Sequence, residues 1–337
     1  MWHSLVVVAS LLASTGVKGQ QEQQSVFLLG HHFDQYDFSC AAGLVAALSE
    51  DKYSVLFYNV INQSFAFEKK LILPGQLVKW SLDGDTLVIA HDSYITVMYN
   101  GDQKTMPIPV VQASSLVVVD HLTCLLSEIP EWTGFVCVNT TSFDVGYKSC
   151  FSSTNIGGSR AFVSVKNWVY ILNSAHLHRF TEQNGCLNYT RSSPFRIGDG
   201  EAIGDHIWYS YDSSRIFLDH GLTLTASSDP QTDMQVHGDF NSSHWGYSYT
   251  WFAQSGISPY HVAGLRTDLP DTVNFYSWPY LQPIGTRPIP LPTKNATRIY
   301  GSEQVHYCLE ESVLVFCIYE LLDGRGVFET GIAYVTV

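Results

Sequence analysis

Histidine and aspartate side chains recur close together at several points of the sequence. Such oxygen and nitrogen ligands can hold a divalent cation, which would polarise an ester or lactone. Their spacing matches no established ligand pattern, so ordinary turn and surface roles compete with this interpretation. A further pair, His176 and His178, would share one face of a strand because side chains alternate along it. The candidate site residues are His31, His32, Asp34, Asp205, His206, Asp219 and His220.

Motifs of the familiar enzyme classes are missing from the chain. There is no HExxH, GxSxG, P-loop or GxGxxG motif, and Gly198, Gly200 and Gly204 have the wrong spacing for a dinucleotide site. Asp83 and Asp85 lack the remaining ligands of an EF-hand. We therefore favour a non-enzymatic protein without a cofactor. A hydrolase that uses a divalent cation is the alternative.

The N-terminus has the pattern of a signal peptide. Residues 1–19 contain an apolar stretch from Leu5 to Ala13 and end with small residues before Gln20. This stretch is shorter than the roughly 20 apolar residues that cross a bilayer. We predict a secreted chain with a single domain over residues 20–337, or one retained in the lumen of the secretory pathway. Five sequons predict N-glycosylation: Asn62, Asn139, Asn188, Asn241 and Asn295.

The seven cysteines form no CxxC pair, which disfavours a zinc ribbon or a thioredoxin-like motif. If Leu122–Ser127 and Phe135–Val138 form a hairpin, Cys124 and Cys137 lie directly opposite each other. Their Cβ atoms would then be near disulfide distance. We predict this disulfide, and the odd number of cysteines leaves at least one thiol outside an intrachain bridge.

The chain is acidic, with a formal net charge of −13. Removal of residues 1–19 would delete Lys18 and no acid, leaving 17 basic against 31 acidic side chains and a net charge of −14. Such a surface repels nucleic acid and anionic membranes. The expected partner is an extracellular protein or glycan. Solubility alone would also account for the acidity.

Strand-turn-strand units recur along the chain. In one of these units, Leu87–Ala90 and Tyr94–Tyr99 are strand-like runs around the turn-forming residues His91–Ser93. With six similar units, the turn centres fall near residues 51, 92, 130, 167, 213, 256 and 310. The period resembles the roughly 40 to 50 residues of a four-stranded propeller blade. Because no amphipathic helix is evident, radial closure of small sheets would hide their edges.

One of these units carries a recognisable motif. The segment WSLDGDTLVIA, Trp80 to Ala90, resembles the WSPDG-x-x-L core of WD40-like and TolB-type β-propeller repeats, with Leu82 in place of Pro. The other six units lack this signature, so the resemblance implies a propeller superfamily and no particular family. In propeller hydrolases, acidic and histidine side chains gather around a metal in the central channel, which is the role the candidate residues would take.

The sequence therefore predicts an all-β fold, a β-propeller with seven blades preferred over six. Gln24–Gly30 would be the strand that closes the last blade. Two β-sandwiches are the rival architecture. The proline-rich segment 279–292 is predicted as a loop or crossing, since proline lacks a ladder donor. We interpret the aromatic residues between Trp208 and Phe252 mainly as packing, with sugar stacking or protein contact as the alternative.

Overall fold

The computed structural model contains 28 strands among the residues it describes, and these form seven four-stranded antiparallel sheets. The described residues are 26–49, 53–61, 64–72, 75–99, 102–109, 113–119, 121–129, 132–140, 147–151, 161–165, 168–173, 176–194, 206–240, 248–255, 261–292, 296–308, 312–322 and 326–337. No described segment is a helix that could span a membrane.

The blades follow one another along the chain. Blade 1 consists of β2 (Tyr36–Ser39), β3 (Leu44–Leu48), β4 (Val55–Ile61) and β5 (Ser64–Leu71). Blade 2 consists of β6 (Leu77–Trp80), β7 (Thr86–Ala90), β8 (Tyr94–Tyr99) and β9 (Asp102–Pro107). Blade 3 consists of β10 (Ala113–Val119), β11 (Leu122–Ile129), β12 (Trp132–Asn139) and β13 (Tyr147–Phe151). Blade 4 consists of β14 (Ala161–Val165), β15 (Trp168–Leu172), β16 (Leu177–Gln183) and β17 (Cys186–Ser192). Blade 5 consists of β18 (Ile207–Tyr209), β19 (Arg215–Leu218), β20 (Leu222–Thr225) and β21 (Val236–Asp239). Blade 6 consists of β22 (Tyr249–Gln254), β23 (His261–Arg266), β24 (Leu269–Ser277) and β25 (Pro283–Pro288). Blade 7 consists of β26 (Ala296–His306), β27 (Ser312–Leu321), β28 (Phe328–Thr336) and β1 (Val26–Leu28).

The seven sheets stand in a ring. From blade 1 to blade 7, the first strand of each blade contacts the first strand of the next, so these strands surround the axis and the fourth strands lie at the rim. The N-terminal strand β1 takes the rim position of blade 7, where Val26 is opposite Ala333. The predicted seven-bladed propeller, closed by a strand within Gln24–Gly30, is confirmed.

Apolar clusters between adjacent blades form the core. On β7, Leu87 and Ile89 pack with Phe57 of blade 1, whereas Val88 packs with Val136 of blade 3. Both faces of a central strand are therefore buried, which explains why the sequence shows short continuous apolar runs at these strands. Each sheet is too small to bury itself, and its two neighbours cover it.

The aromatic residues predicted as packing do pack between blades 5 and 6. Trp208, Tyr249 and Phe252 are buried in this cluster, and the rings of Phe240 and Phe252 are stacked with centroids 4.6 Å apart. Tyr211 is an exception, since 67% of it is exposed. Trp245 and Tyr247, also in this stretch, lie outside the described residues.

The recognised motif forms a side-chain-capped turn between β6 and β7. Ser81 donates its hydroxyl to Asp83 at 2.5 Å, and its Oγ accepts the backbone N–H of Thr86 at 2.9 Å. Blade 5 repeats this geometry without the sequence signature. There Ser210 donates to Asp212 at 2.5 Å and accepts the N–H of Arg215 at 2.9 Å. The residue after the aspartate has positive φ in both turns, Gly84 in one and Ser213 in the other.

Three disulfides link the described residues. Cys124 and Cys137 are cross-strand neighbours within blade 3 and are bonded, which confirms the predicted bridge. Cys150–Cys186 joins the rim strands of blades 3 and 4, and Cys40–Cys308 joins blade 1 to blade 7. The ring is thus closed twice, by strand β1 and by a disulfide. Cys317 is the free cysteine, and it is buried.

The rim strands expose their outer edges and carry different protective features. The prediction of a loop over residues 279–292 is wrong in part, because Pro283–Pro288 is the rim strand of blade 6. A rim strand tolerates proline since its outer edge has no ladder partner.

Asn188 is exposed on the rim strand of blade 4, and Asn139 is half-buried at the end of β12. The sequons at Asn62, Asn241 and Asn295 lie outside the described residues.

A buried ion pair fastens blade 5 to blade 4. The carboxylate of Asp233 is fully buried and lies 2.9 Å from the guanidinium of Arg179. Tyr170 and the backbone N–H of Ser227 donate to the other carboxylate oxygen at 2.8 and 3.0 Å. Removing this carboxylate would leave Arg179 buried without its countercharge.

Candidate functional site

The two ends of the ring differ in what they carry. We call one the crossover end: it holds the connections from each rim strand to the next innermost strand, such as 29–35 and 289–292, and the turns between second and third strands. The hairpin end holds the remaining turns. By this topology the described candidate residues all lie at the crossover end: His31, His32 and Asp34 between β1 and β2, His206 before β18, and Asp219 and His220 between β19 and β20. Asp205 lies outside the described residues.

His31, His32 and Asp34 lie at the seam between blades 7 and 1. The Nε2 atom of His32 is 3.4 Å from Oδ1 of Asp34, and its Nδ1 is 3.4 Å from Oγ1 of Thr330. Thr330 also accepts the N–H of Phe33 at 3.1 Å. Each ring nitrogen of His32 therefore faces one side-chain oxygen, Oγ1 of Thr330 at Nδ1 and Oδ1 of Asp34 at Nε2. The imidazole is thereby oriented while about a third of its side chain stays exposed.

Glu303 and Tyr36 join this seam, although no sequence pattern pointed to either residue. Tyr36 donates its hydroxyl to Glu303 at 2.7 Å and stacks on Phe316. Burial raises the pKa of Glu303, Asp34 raises it slightly further, and the bond from Tyr36 and the nearby His32 oppose the shift. Burial and then Glu303 raise the pKa of Tyr36 well above its usual value, so the phenol remains a donor. We call His31, His32, Asp34, Tyr36 and Glu303 the seam cluster.

The remaining candidates lie in blade 5 and do not join the seam cluster. Asp219 is buried, its backbone carbonyl accepts the N–H of Tyr249 at 2.5 Å, and its carboxylate is 3.4 Å from Nδ1 of His220. The ring of His206 lies 5.9 Å from that of Trp208. Asp219 thus has a structural role at the junction of blades 5 and 6.

The two histidines predicted to share a strand face are close together, with ring centroids 6.1 Å apart. Nδ1 of His178 is 2.7 Å from the hydroxyl oxygen of Ser192. Burial, with a smaller effect of His176, lowers the pKa of His178. This imidazole is therefore neutral and held by blade 4.

The innermost strands carry few acids that could hold a cation. Asp37 on β2 accepts Lys79 at 3.0 Å and the backbone N–H of Trp80 at 2.7 Å, so both of its oxygens are engaged. On β26, burial and, secondarily, Lys79 lower the pKa of His306 to about 3. Within the described residues, no group of three or more His, Cys, Asp or Glu side chains could hold a metal ion.

Blade 7 extends past blade 1 at the crossover end. Its strands β26, β27 and β28 have 11, 10 and 9 residues, whereas β2 and β3 have 4 and 5. Tyr36, the first residue of β2, contacts Glu303 and Phe316, so residues 298–300 and Phe328 project beyond it. There the rings of Tyr300 and Phe328 meet with centroids 4.7 Å apart, and 59% of Tyr300 is exposed.

Solved structures of several β-propellers share this architecture. The β-propeller domain of Cps50 (Swd1) from Myceliophteria thermophila has a TM-score of 0.63 and 11% identity, over 92% of this chain and 100% of that chain. Hsv2 from Kluyveromyces lactis has a TM-score of 0.60 and 6% identity, over 89% and 97%. Apo AztD from Citrobacter koseri has a TM-score of 0.55 and 8% identity, over 90% and 86%.

At these identities the likeness shows the fold alone. No family model matches the chain, and no curated protein sequence is similar to it. The β-propeller fold that the resemblance of Trp80–Ala90 implied is confirmed.

Proposed function

We propose that this protein is a secreted recognition module that binds an extracellular protein or glycan at its crossover end. The observation that carries the proposal is the aromatic pair on the projecting end of blade 7, formed by the exposed Tyr300 and the half-buried Phe328. Exposed aromatic rings supply large contact areas with few rotatable bonds, which makes them frequent anchors of binding sites.

The rigidity of the ring supports this proposal. Blade 7 is fixed by the pairing of β1 with β28 and by the disulfide Cys40–Cys308. A surface that is held in place before binding loses less conformational freedom when a partner arrives. Loops on a rigid scaffold are the usual location of binding residues.

The disulfides also support the proposed compartment. Three bridges are typical of proteins that fold in an oxidising compartment and are rare in the cytosol. Together with the signal-peptide pattern and the sequons, they favour secretion. Peptide mapping of the protein secreted by transfected eukaryotic cells would test this, with mature chains expected to begin near Gln20.

The binding function is tested with the fluorescently labelled, tetramerised protein on panels of cell-surface proteins and glycans. We expect saturable binding that a Tyr300→Ser, Phe328→Ser double variant loses. Calorimetry with Ca²⁺, Zn²⁺ and EDTA addresses the hydrolase alternative, because a cation bound only to the folded state raises the melting temperature. A cation-dependent shift together with ester or lactone turnover, and no binding on either panel, would refute the proposal.

A further inference from the structure

We infer that the crossover end of blade 7 is a docking surface for a protein whose contact region has an apolar centre and a basic rim. The inference rests on the proposed recognition function and specifies both the surface and the class of partner. It follows from the composition of the projecting end and from the charges around it.

The centre of this surface is an apolar group on blade 7 and on the connection that enters it. Tyr300 is 59% exposed, Leu322 62%, Leu291 47% and Val327 40%, and Phe328 is half-buried beside Tyr300. We call these five residues the blade 7 patch. Isolated exposed apolar residues are ordinary, but several on one projecting element mark an interaction site.

The aliphatic members of the patch favour a protein over a sugar. A pyranose ring stacks on an aromatic face but gains little from Leu291, Leu322 and Val327, because its hydroxyl groups remain polar and need hydrogen-bond partners. Aliphatic and aromatic side chains together fit the apolar centre of a protein interface. The chemistry of the patch therefore selects the protein half of the proposed function.

Charges around the patch select a basic rim. Three arginines are described at this end of blades 6 and 7. Arg298 lies 2.5 Å from Glu320 and Arg266 lies 2.7 Å from Asp268, whereas Arg287 is exposed on the rim strand of blade 6. The carboxylates of Asp34, Asp271 and Glu329 lie at this end of the described residues outside these two pairs, so the acids outnumber the one remaining arginine. Glu303 is half-buried and accepts the Tyr36 hydroxyl. Complementary potentials accelerate association and suppress wrong partners, so lysine and arginine should surround the partner's apolar centre.

The exposed sequon of the described residues leaves this surface clear. Asn188 lies on the rim of blade 4, on the opposite side of the ring from blade 7. Asn295, just before β26, lies outside the described residues, so a sugar at this position has to be controlled for in the experiment.

The probe is a library of displayed 12-residue peptides, selected on the full secreted chain and depleted on the Tyr300→Ser, Phe328→Ser double variant. We expect the retained peptides to be rich in Trp, Leu, Arg and Lys. Synthesised peptides should bind the wild type, lose at least about tenfold in affinity on Tyr300→Ser, and bind more slowly as the salt concentration rises.

Two variants provide controls. Tyr211→Ser removes an equally exposed tyrosine at the hairpin end and should leave the affinity unchanged. Asp34→Lys reverses one charge beside the patch without removing apolar surface, and it should slow association of the basic peptides. Melting temperatures of all variants should match the wild type, which separates lost binding from lost folding.

Several results would overturn the inference. One such result is a set of selected peptides dominated by acidic residues. Another is an equal loss of peptide affinity in Tyr211→Ser and Tyr300→Ser. A third is binding of sugars in place of peptides at the patch. Peptide binding that appears only after enzymatic removal of N-glycans would also overturn it, because the patch would then be covered by the protein's own sugar at Asn295.

Failure of the inference differs from failure of the proposed function. If the labelled protein still binds cell-surface proteins or glycans and the double variant binds equally well, recognition stands and the docking surface is wrong. If the wild type binds nothing on either panel, the proposed function itself fails.

Discussion

Replacement of His306 tests whether the channel side of the ring is as dry as its packing indicates. Its ring lies 5.0 Å from Phe38, 5.6 Å from Trp251 and 5.7 Å from Phe316, and its Nε2 is 3.0 Å from Oε1 of Gln304. Burial, helped by the positive charge of Lys79, lowers its pKa from 6.5 to about 3. A charged imidazole is therefore disfavoured in the folded state.

The consequence for stability has a definite sign. Because the folded-state pKa lies below that of the unfolded chain, the stabilisation is present above about pH 6.5 and is lost as the pH falls towards 3. At pH 4.5 the unfolded chain has bound the proton and the folded chain has not. This pH lies two units below the unfolded pKa of 6.5, and each unit lowers the free energy of unfolding by about 1.4 kcal/mol. Partial exposure of the His306 imidazole reduces this loss, so we expect His306 to account for about 2 kcal/mol of it.

The assay is urea unfolding at pH 7.0 and pH 4.5 for the wild type and His306→Gln. Glutamine cannot take up a proton, so the stability loss between the two pH values should be about 2 kcal/mol smaller in the variant than in the wild type. His206→Gln is the matched control. It removes an exposed histidine that directly precedes the innermost strand of blade 5, so the stability difference between the two pH values should stay as in the wild type. Equal pH differences for wild type and His306→Gln would show that the imidazole is hydrated and that the reasoning is wrong.

Three further predictions concern the architecture, each measured by equilibrium unfolding. Asp233→Asn should cost about 3–5 kcal/mol, since it leaves a buried guanidinium without its countercharge; a loss below 1 kcal/mol would contradict this. Gly84→Ala should cost about 2 kcal/mol more than Gly326→Ala, because both have positive φ but only the new Cβ at Gly84 meets neighbouring atoms, the nearest at 2.4 Å; equal effects would refute the packing of these turns. Replacing Cys40 and Cys308 together with alanine should cost about 2–4 kcal/mol and leave the ring folded, since strand β1 still closes it; complete unfolding would contradict the second closure.

Hydrophobic patterning was sufficient to predict the blades but not the position of a strand within its blade. The turn predicted near residue 130 lies between the second and third strands of blade 3, whereas the turn near residue 167 lies between the first and second strands of blade 4. The nearly constant spacing conceals this shift. Apolar runs look alike wherever both faces of a strand are covered, so the pattern does not number the strands.

The seam cluster shows a different limit. His31, His32 and Asp34 stand out because they follow a predicted strand within four residues. Tyr36 and Glu303 are 267 residues apart, and nothing in their local sequence indicates that they meet. Their contact follows from ring closure, which the sequence did predict. Ring closure together with the predicted unit around residue 310 places blade 7 beside blade 1. It does not identify the side chains that touch.

Ring closure also connects the fold to the proposed recognition. A propeller is weakest where its chain ends meet, because only there is a blade assembled from distant segments. Among the described residues that blade has the longest strands, and it also has a disulfide to its neighbour and the pair of exposed Tyr300 and half-buried Phe328. The same bonds that prevent blade 7 from separating hold its projecting end still, so the element that most needs fastening is also the one best able to present a preformed surface to a partner.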